Sequence, residues 1–259
     1  MIVLDIYRYA LWNLILKDFR VRYRNMSLGV LWSILNPLIM LGVLVVVFGY
    51  IYPNKTIQYY PVFLLLGLIP FNFFSLCISS STTALLENSS LIKKLMFPRI
   101  ILPVSIVLSQ VIHLVIQLGL LAVFIVMFHV PITAHYLWLP LIFMVELVFI
   151  LGLALICSSL DVYFRDTLYI VQSTLTVLFW FTPIFYPASL ANENLPRPLY
   201  LLFMANPLSG CIEAARRAVL GQTSPERDLF LMAMVVAFGT FLLGSLLFRK
   251  MEKNLADYL

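Results

Sequence analysis

Apolar residues along this chain come in long unbroken runs, and polar residues gather between them. Six runs stand out: Leu31–Tyr52, Pro61–Leu85, Ile100–Val130, Leu137–Leu160, Leu168–Tyr186 and Leu229–Phe248. A hydrocarbon core about 30 Å thick is crossed by roughly 20 residues of α-helix, so each run predicts a transmembrane helix. The runs are continuously apolar, without two-residue alternation, which argues against a β-barrel. Among the Lys, Arg, Asp and Glu residues, only Glu146 falls inside a predicted span.

Between the runs the pattern changes. Val3, Tyr7, Ala10, Leu11 and Leu14 recur at i, i+3 and i+4, while Asn13, Lys17, Arg20 and Arg24 occupy another face. Residues 1–24 therefore predict an amphipathic helix lying on the membrane surface. The segment 187–228 is broken by Pro187, Pro196, Pro198, Pro207 and Pro225. Its apolar stretches are too short to span, and Ile212–Leu220 reads as a short helix ended by Gly221. Such pieces predict re-entrant or interfacial helices.

The expectation is one all-α membrane domain over residues 1–259. It comprises an N-terminal segment 1–30, spans one to five over 31–186, an external re-entrant segment 187–228, span six over 229–248 and a tail 249–259. Composition agrees: 62% of residues are hydrophobic and 11% charged, against about half and a quarter in a soluble domain. The positive-inside rule sets the orientation. Twelve of the 17 Lys and Arg residues fall in 1–30, 86–99, 161–167 and 249–259. Both termini are expected in the cytoplasm. The net charge of +5 is thereby explained by topology, without nucleic acid.

Enzyme signatures are missing. No His is followed by Glu in a zinc-protease pattern, no GxSxG occurs, and no Gly precedes a Lys as the phosphate-cradling loop requires. Cys77, Cys157 and Cys211 lack metal spacing. ATP-driven work would need a second polypeptide. Polar groups within spans are few: Gln110, His113 and Gln117 share one helix face, and Glu146 is the lone acid. A charge at mid-bilayer costs roughly 2.5–3.5 kcal/mol on insertion scales. Glu146 is accordingly expected to hydrogen-bond across helices, with His113 or a glutamine, although a proton-coupled transporter would also use such a residue.

Five local patterns together resemble one family. They are Ser27-Leu28-Gly29-Val30-Leu31-Trp32-Ser33-Ile34-Leu35-Asn36-Pro37-Leu38 after an arginine-rich helix, Lys93-Lys94-Leu95-Met96-Phe97-Pro98-Arg99, Phe164-Arg165-Asp166, Trp180-Phe181-Thr182-Pro183-Ile184-Phe185-Tyr186 and Asn206-Pro207-Leu208. In this order and spacing they resemble type-2 ABC exporter permeases for O-antigen, capsule or teichoic acid. The resemblance implies the transmembrane subunit of an ATP-binding cassette exporter in a bacterial inner membrane, moving a lipid-linked polysaccharide between two copies of itself. ATP and Mg would sit on two separate cytoplasmic ATPase subunits, with no cofactor in this chain.

The resemblance also assigns residues. Trp32, Phe48, Tyr163, Phe179, Trp180, Phe185 and Tyr186 would line the channel, since rings hold the C–H faces of sugars without fixing one sugar. Glu87, Asn88, Leu91, Lys93 and Lys94, with Tyr7, Leu11 and Leu14 of the surface helix, would contact the ATPase. Arg24 and Arg165 would meet the lipid pyrophosphate. Export of a drug or small lipid, an ion-coupled transporter and a membrane-embedded enzyme are the alternatives.

Overall fold

The computed structural model describes residues 2–24, 27–51, 57–94 and 98–252. The end of the first run at Tyr52, Leu95–Phe97 of the second motif and residues 253–259 of the tail lie outside them. So do the side chains of Tyr7 and Lys94. Among the described residues every regular element is a helix.

Five helical stretches are long and apolar enough to cross a membrane. The first is Gly29–Ile51, a 3₁₀ turn leading into α2 (Trp32–Val45) and closing in a π-helical turn, Val46–Ile51. The others are α3 (Tyr60–Thr82), α6 (Ile101–Met127), Ala134–Tyr163 containing α7 (Trp138–Tyr163), and α12 (Arg227–Glu252). These match five of the six expected runs. The fifth run behaves differently. Its helix, α8 (Thr167–Phe181), has 15 residues and stops five short of Tyr186. At 1.5 Å per residue it is about 22 Å long, less than a full hydrocarbon thickness. Pro183 ends it: proline disfavours helical backbone in the residue before it, and Thr182 is extended.

The short elements are α1 (Ile2–Tyr23), α4 (Ala84–Glu87), α5 (Ser89–Lys94), α9 (Ala188–Asn194), α10 (Arg197–Ala205) and α11 (Pro207–Val219). The Pro-rich segment thus holds three helices. The last begins five residues earlier than Ile212, because the Asn206 side chain caps it by accepting from the Leu208 amide at 3.1 Å.

α3 is the central helix. Of its apolar window 78% is buried, against 22–44% in the other long helices. α6, α7, α2, α8 and α11 pack around it, and α12 lies against α7. Association within lipid depends on close packing rather than on escape from water. The α7–α12 crossing shows this. A Cβ on Gly152 would stand 2.6 Å from the Phe241 amide nitrogen, and one on Gly244 would strike the Gly152 carbonyl. Both positions need glycine for the two backbones to touch.

A second apolar cluster closes one end of the bundle: Leu85, Leu102, Leu155, Val162 and Phe248, with Leu14, Leu91 and Tyr163 against it. α1 packs along α6 there. Its Ile15 is buried, while Tyr9 and Trp12 are exposed. Lys17 Nζ donates to Asn88 Oδ1 at 3.0 Å, and Arg22 donates to Ser80 Oγ at 2.9 Å. These bonds tie α1 to the α4–α5 turn and to the end of α3.

Candidate functional site

α2 and α8 stand on either side of one face of α3. Between α3 and α8 runs a hollow of about 370 Å³, lined by Phe71, Ser75, Ser79, Gln172, Leu175, Thr176, Phe179 and Trp180. Between α3 and α2 lies a second, of about 450 Å³, reached also by α1 and α6. Ser75 lines both, so the two form one groove with α3 as its floor.

The walls of this groove are polar and aromatic. From α8, an otherwise apolar helix, the exposed Gln172 and Thr176 line it; Ser173 and Thr174 are exposed too but lie outside its lining. The hydroxyls of Thr174 and Thr176 bond back to the Ile170 and Gln172 carbonyls at 2.8 and 3.0 Å, which satisfies them within the helix. A Gln amide facing hydrocarbon would remain unpaired at a cost of several kcal/mol, on the order given for a buried polar group. The groove therefore suits water or a polar ligand.

At one end of the groove the aromatic side chains meet. Phe48 stacks on Phe185 with centroids 4.8 Å apart, and Phe185 also meets Trp180 at 5.4 Å and Tyr186 at 5.1 Å. Phe179 stands edge-on to Trp180 at 5.5 Å and to Phe71 at 5.3 Å. Five expected channel residues, Phe48, Phe179, Trp180, Phe185 and Tyr186, are thus brought together. Trp32 lines the groove toward its other end. Tyr163 is not with them: its hydroxyl donates to the Met251 carbonyl at 3.3 Å and its ring packs in the second apolar cluster.

The aromatic end is held by a residue that the charge pattern hid. Arg216 of α11 is only 4% exposed. Its Nη2 donates to the Ile184 carbonyl at 2.6 Å and to Phe63 at 3.3 Å, and its Nη1 donates to Tyr186 at 3.3 Å. The guanidinium lies 3.5 Å from the Phe63 ring centroid. The carbonyls freed where α8 breaks are satisfied here. Gly67 makes room, since a Cβ there would meet Ile184 backbone at 2.9 Å. In the sequence Arg216 counts with its neighbour Arg217 among the five basic residues outside the expected cytoplasmic segments. Arg217 is paired at the surface with Glu226. The available signal was the small-residue face of α11, Gly210, Ala214, Ala215 and Ala218, all buried.

At the other end, Glu87, Asn88, Leu91 and Lys93, which the resemblance would set against an ATPase, sit at the α4–α5 junction. Thr83 Oγ1 donates to Glu87 at 2.8 Å, and Asn88 donates to the Ala84 carbonyl at 2.9 Å while accepting from Lys17. Asn88 starts α5 with its backbone carbonyl, which accepts from Leu91 and Ile92. Leu11 is half-buried on α1, one turn before Leu14. Asp18, between Lys17 and Arg22, is pushed above the ordinary carboxyl range by burial, against the pull of both cations. Arg24 and Arg165 are exposed.

The expected partner of Glu146 is not found. His113 Nδ1 is 2.9 Å from Ser33 Oγ, and Gln117 Nε2 donates to the Ser33 carbonyl at 3.3 Å. Both Glu146 oxygens, like the Gln110 amide, are buried without a hydrogen bond among the described residues. Direction explains it: His113 and Gln117 face α2, whereas Glu146 lies near Cys77 of α3 and Cys211 of α11.

Residues 9–220 match the family model for the ABC-2 type transporter. The chain belongs to the ABC-2 type transporter family. Its curated relatives cover nearly its whole length. It is 28% identical over 251 residues to an O-antigen export system permease protein of Myxococcus xanthus, covering 97% of this chain and 95% of the relative. A Klebsiella pneumoniae protein of the same description is 28% identical over 244 residues, 94% of this chain and 92% of the relative. A polysialic acid transport protein of Escherichia coli is 30% identical over 252 residues, 93% and 92% of the two chains. This ABC-2 chain is thus a transporter permease component, and the groove is the feature of its fold to be explained.

Proposed function

We propose that this chain is the transmembrane subunit of an ATP-binding cassette exporter that moves a lipid-linked polysaccharide from the cytoplasm across the bacterial inner membrane. The observation that carries the reading is the groove: an outward-facing strip of Gln172, Thr176, Ser75 and Ser79 that ends in a cluster of five aromatic rings. A second copy facing it across a two-fold axis would enclose the strip as a channel. Hydroxyls and amides match the polar edge of a sugar, and rings match its C–H faces. Weak repeated contacts let a long chain slide, where one tight site would stall it. The named exports of the relatives, O-antigen and polysialic acid, support a polysaccharide.

In this reading both termini and the α4–α5 turn are cytoplasmic. Two ATPase subunits dock on Glu87, Asn88, Leu91, Lys93 and Lys94, beside the surface helix carrying Tyr7, Leu11 and Leu14. The Lys17–Asn88 bond would pass movement of the turn to α1. α8 crosses as the fifth span together with the non-helical stretch 182–186, and α9–α11 fill the outer side. Arg24 and Arg165, both exposed, would meet the lipid pyrophosphate.

The test is export by the reconstituted complex with its ATPase. Phe179→Ala with Phe185→Ala should lower glycan export by more than tenfold while dimer and ATPase remain associated. Normal export by an intact mutant complex would make the rings packing residues only.

A further inference from the structure

The part of the groove between α1, α2, α3 and α6 differs from the rest in holding a cation. Its wall carries Arg22, Trp32, Asn36, Asn72, His113 and Gln117 around about 450 Å³. The volume is in the range of small-ligand pockets, and the lining is unusual for one because it is rich in side-chain amides. The side-chain amides of Asn36 and Asn72 make no hydrogen bond among the described residues, and neither residue is buried. Trp32 is 39% exposed, one helical turn from Asn36, so ring and amide look into the same space.

Arg22 decides the chemistry. Its guanidinium uses one donor on Ser80 Oγ and has no carboxylate within ion-pair distance among the described residues. Asp18, one turn earlier, acts on it only at longer range. A guanidinium has five donors in a planar fork suited to two anionic oxygens. The pocket therefore combines an aromatic face for a pyranose ring, two free amides for hydroxyls or an acetamido group, and one fork for an anion.

Resting on the export reading above, we infer that this pocket binds one sugar residue bearing an anionic group, with Arg22 on the anion, Trp32 under the ring and Asn36 and Asn72 on its polar substituents. It is a specificity site, separate from the ring cluster over which the remainder of the chain slides. Its anion can be a phosphate, as on a sugar at a lipid-linked end, or a carboxylate, as on an acidic sugar within the chain.

The test is direct binding to the complex in nanodiscs, read by tryptophan emission after Trp12, Trp138 and Trp180 are changed to Phe, with the signal of the same complex carrying Trp32→Phe as well subtracted so that the difference reports Trp32. The probes are N-acetylglucosamine 1-phosphate, N-acetylneuraminic acid and neutral N-acetylglucosamine. A saturable change with either acidic probe is expected, about tenfold tighter than with the neutral one and lost to that extent in Arg22→Gln. Which acidic probe binds more tightly tells phosphate from carboxylate. Asn36→Leu, at an exposed position, should weaken binding without unfolding and serves as a second variant. Absence of any saturable change, or equal affinity of Arg22→Gln or of the neutral sugar, overturns the inference. A complex that exports glycan yet fails this test overturns only the pocket, whereas a complex that exports no glycan overturns the reading beneath it.

Discussion

The guanidinium of Arg216 lies 3.5 Å from the Phe63 ring centroid and bonds the backbone carbonyls of Phe63, Ile184 and Tyr186. One buried side chain thus joins α11, the head of α3 and the break after α8. The aromatic end of the groove depends on that junction, because Phe185 lies between two of the bonded carbonyls.

Arg216→Ala would leave three carbonyls short of a donor and remove a stacked cation. The expected loss is roughly 2–4 kcal/mol. Arg216→Lys should recover part of it, since an ammonium cannot fork between Ile184 and Tyr186. Thermal unfolding of the purified protein in detergent, with the exposed Arg217→Ala as comparison, measures both. Equal melting temperatures for the two alanine variants would refute the junction.

Glycine positions give a sharper contrast. Gly244→Ala places a methyl against the Gly152 carbonyl and should destabilise by roughly 1–3 kcal/mol or more. Gly239→Ala, five residues earlier on the same helix, meets nothing within 4 Å and should be neutral or stabilising by up to about 1 kcal/mol. Melting temperatures of the two variants, measured side by side, check the α7–α12 crossing.

Much of this fold is legible in the sequence. Five long helices coincide with apolar runs, because lipid demands continuous apolarity and leaves few ways to provide it. The fifth run misled at its end: Leu168–Tyr186 carries no charge, yet Pro183 stops the helix at Phe181, and apolarity alone does not distinguish helix from irregular backbone inside protein. Of the candidate site, the rings Phe48, Phe179, Trp180, Phe185 and Tyr186 were legible through family resemblance. Tyr163 was not, because its pairing with Met251 depends on where α12 ends. Arg216 and Arg22 were hidden for one reason: a charge count treats every basic residue near a span end as solvated, and only packing tells which is enclosed.

Asp18 gives a pH dependence. Burial holds its carboxyl above the ordinary value of 3.8, with Lys17 and Arg22 opposing and Glu87 reinforcing the rise. An acid raised in the folded state binds its proton more tightly there than when unfolded. Stability therefore falls as pH climbs from the ordinary value through the raised one, and the deficit persists above it. Asp18→Asn should raise the melting temperature at pH 7, with the gain shrinking as pH falls toward 3.8. A gain independent of pH would mean that the carboxyl charge is not its source.

The central claim is that the groove beside α8 faces water and not lipid. The direct measurement compares two cysteines in a background whose three native cysteines are replaced by alanine. Thr176→Cys stands in the groove wall, and Leu242→Cys stands on the exposed apolar face of α12, 62% exposed in the parent chain. Both are treated with a charged, membrane-impermeant thiosulfonate in sealed and in opened vesicles carrying the complete transporter. Thiolates form in water and not in hydrocarbon, so position 176 should react at least tenfold faster than position 242 once the vesicles are open. Equal rates, or an unreactive position 176, would contradict the assignment of the groove as the translocation path.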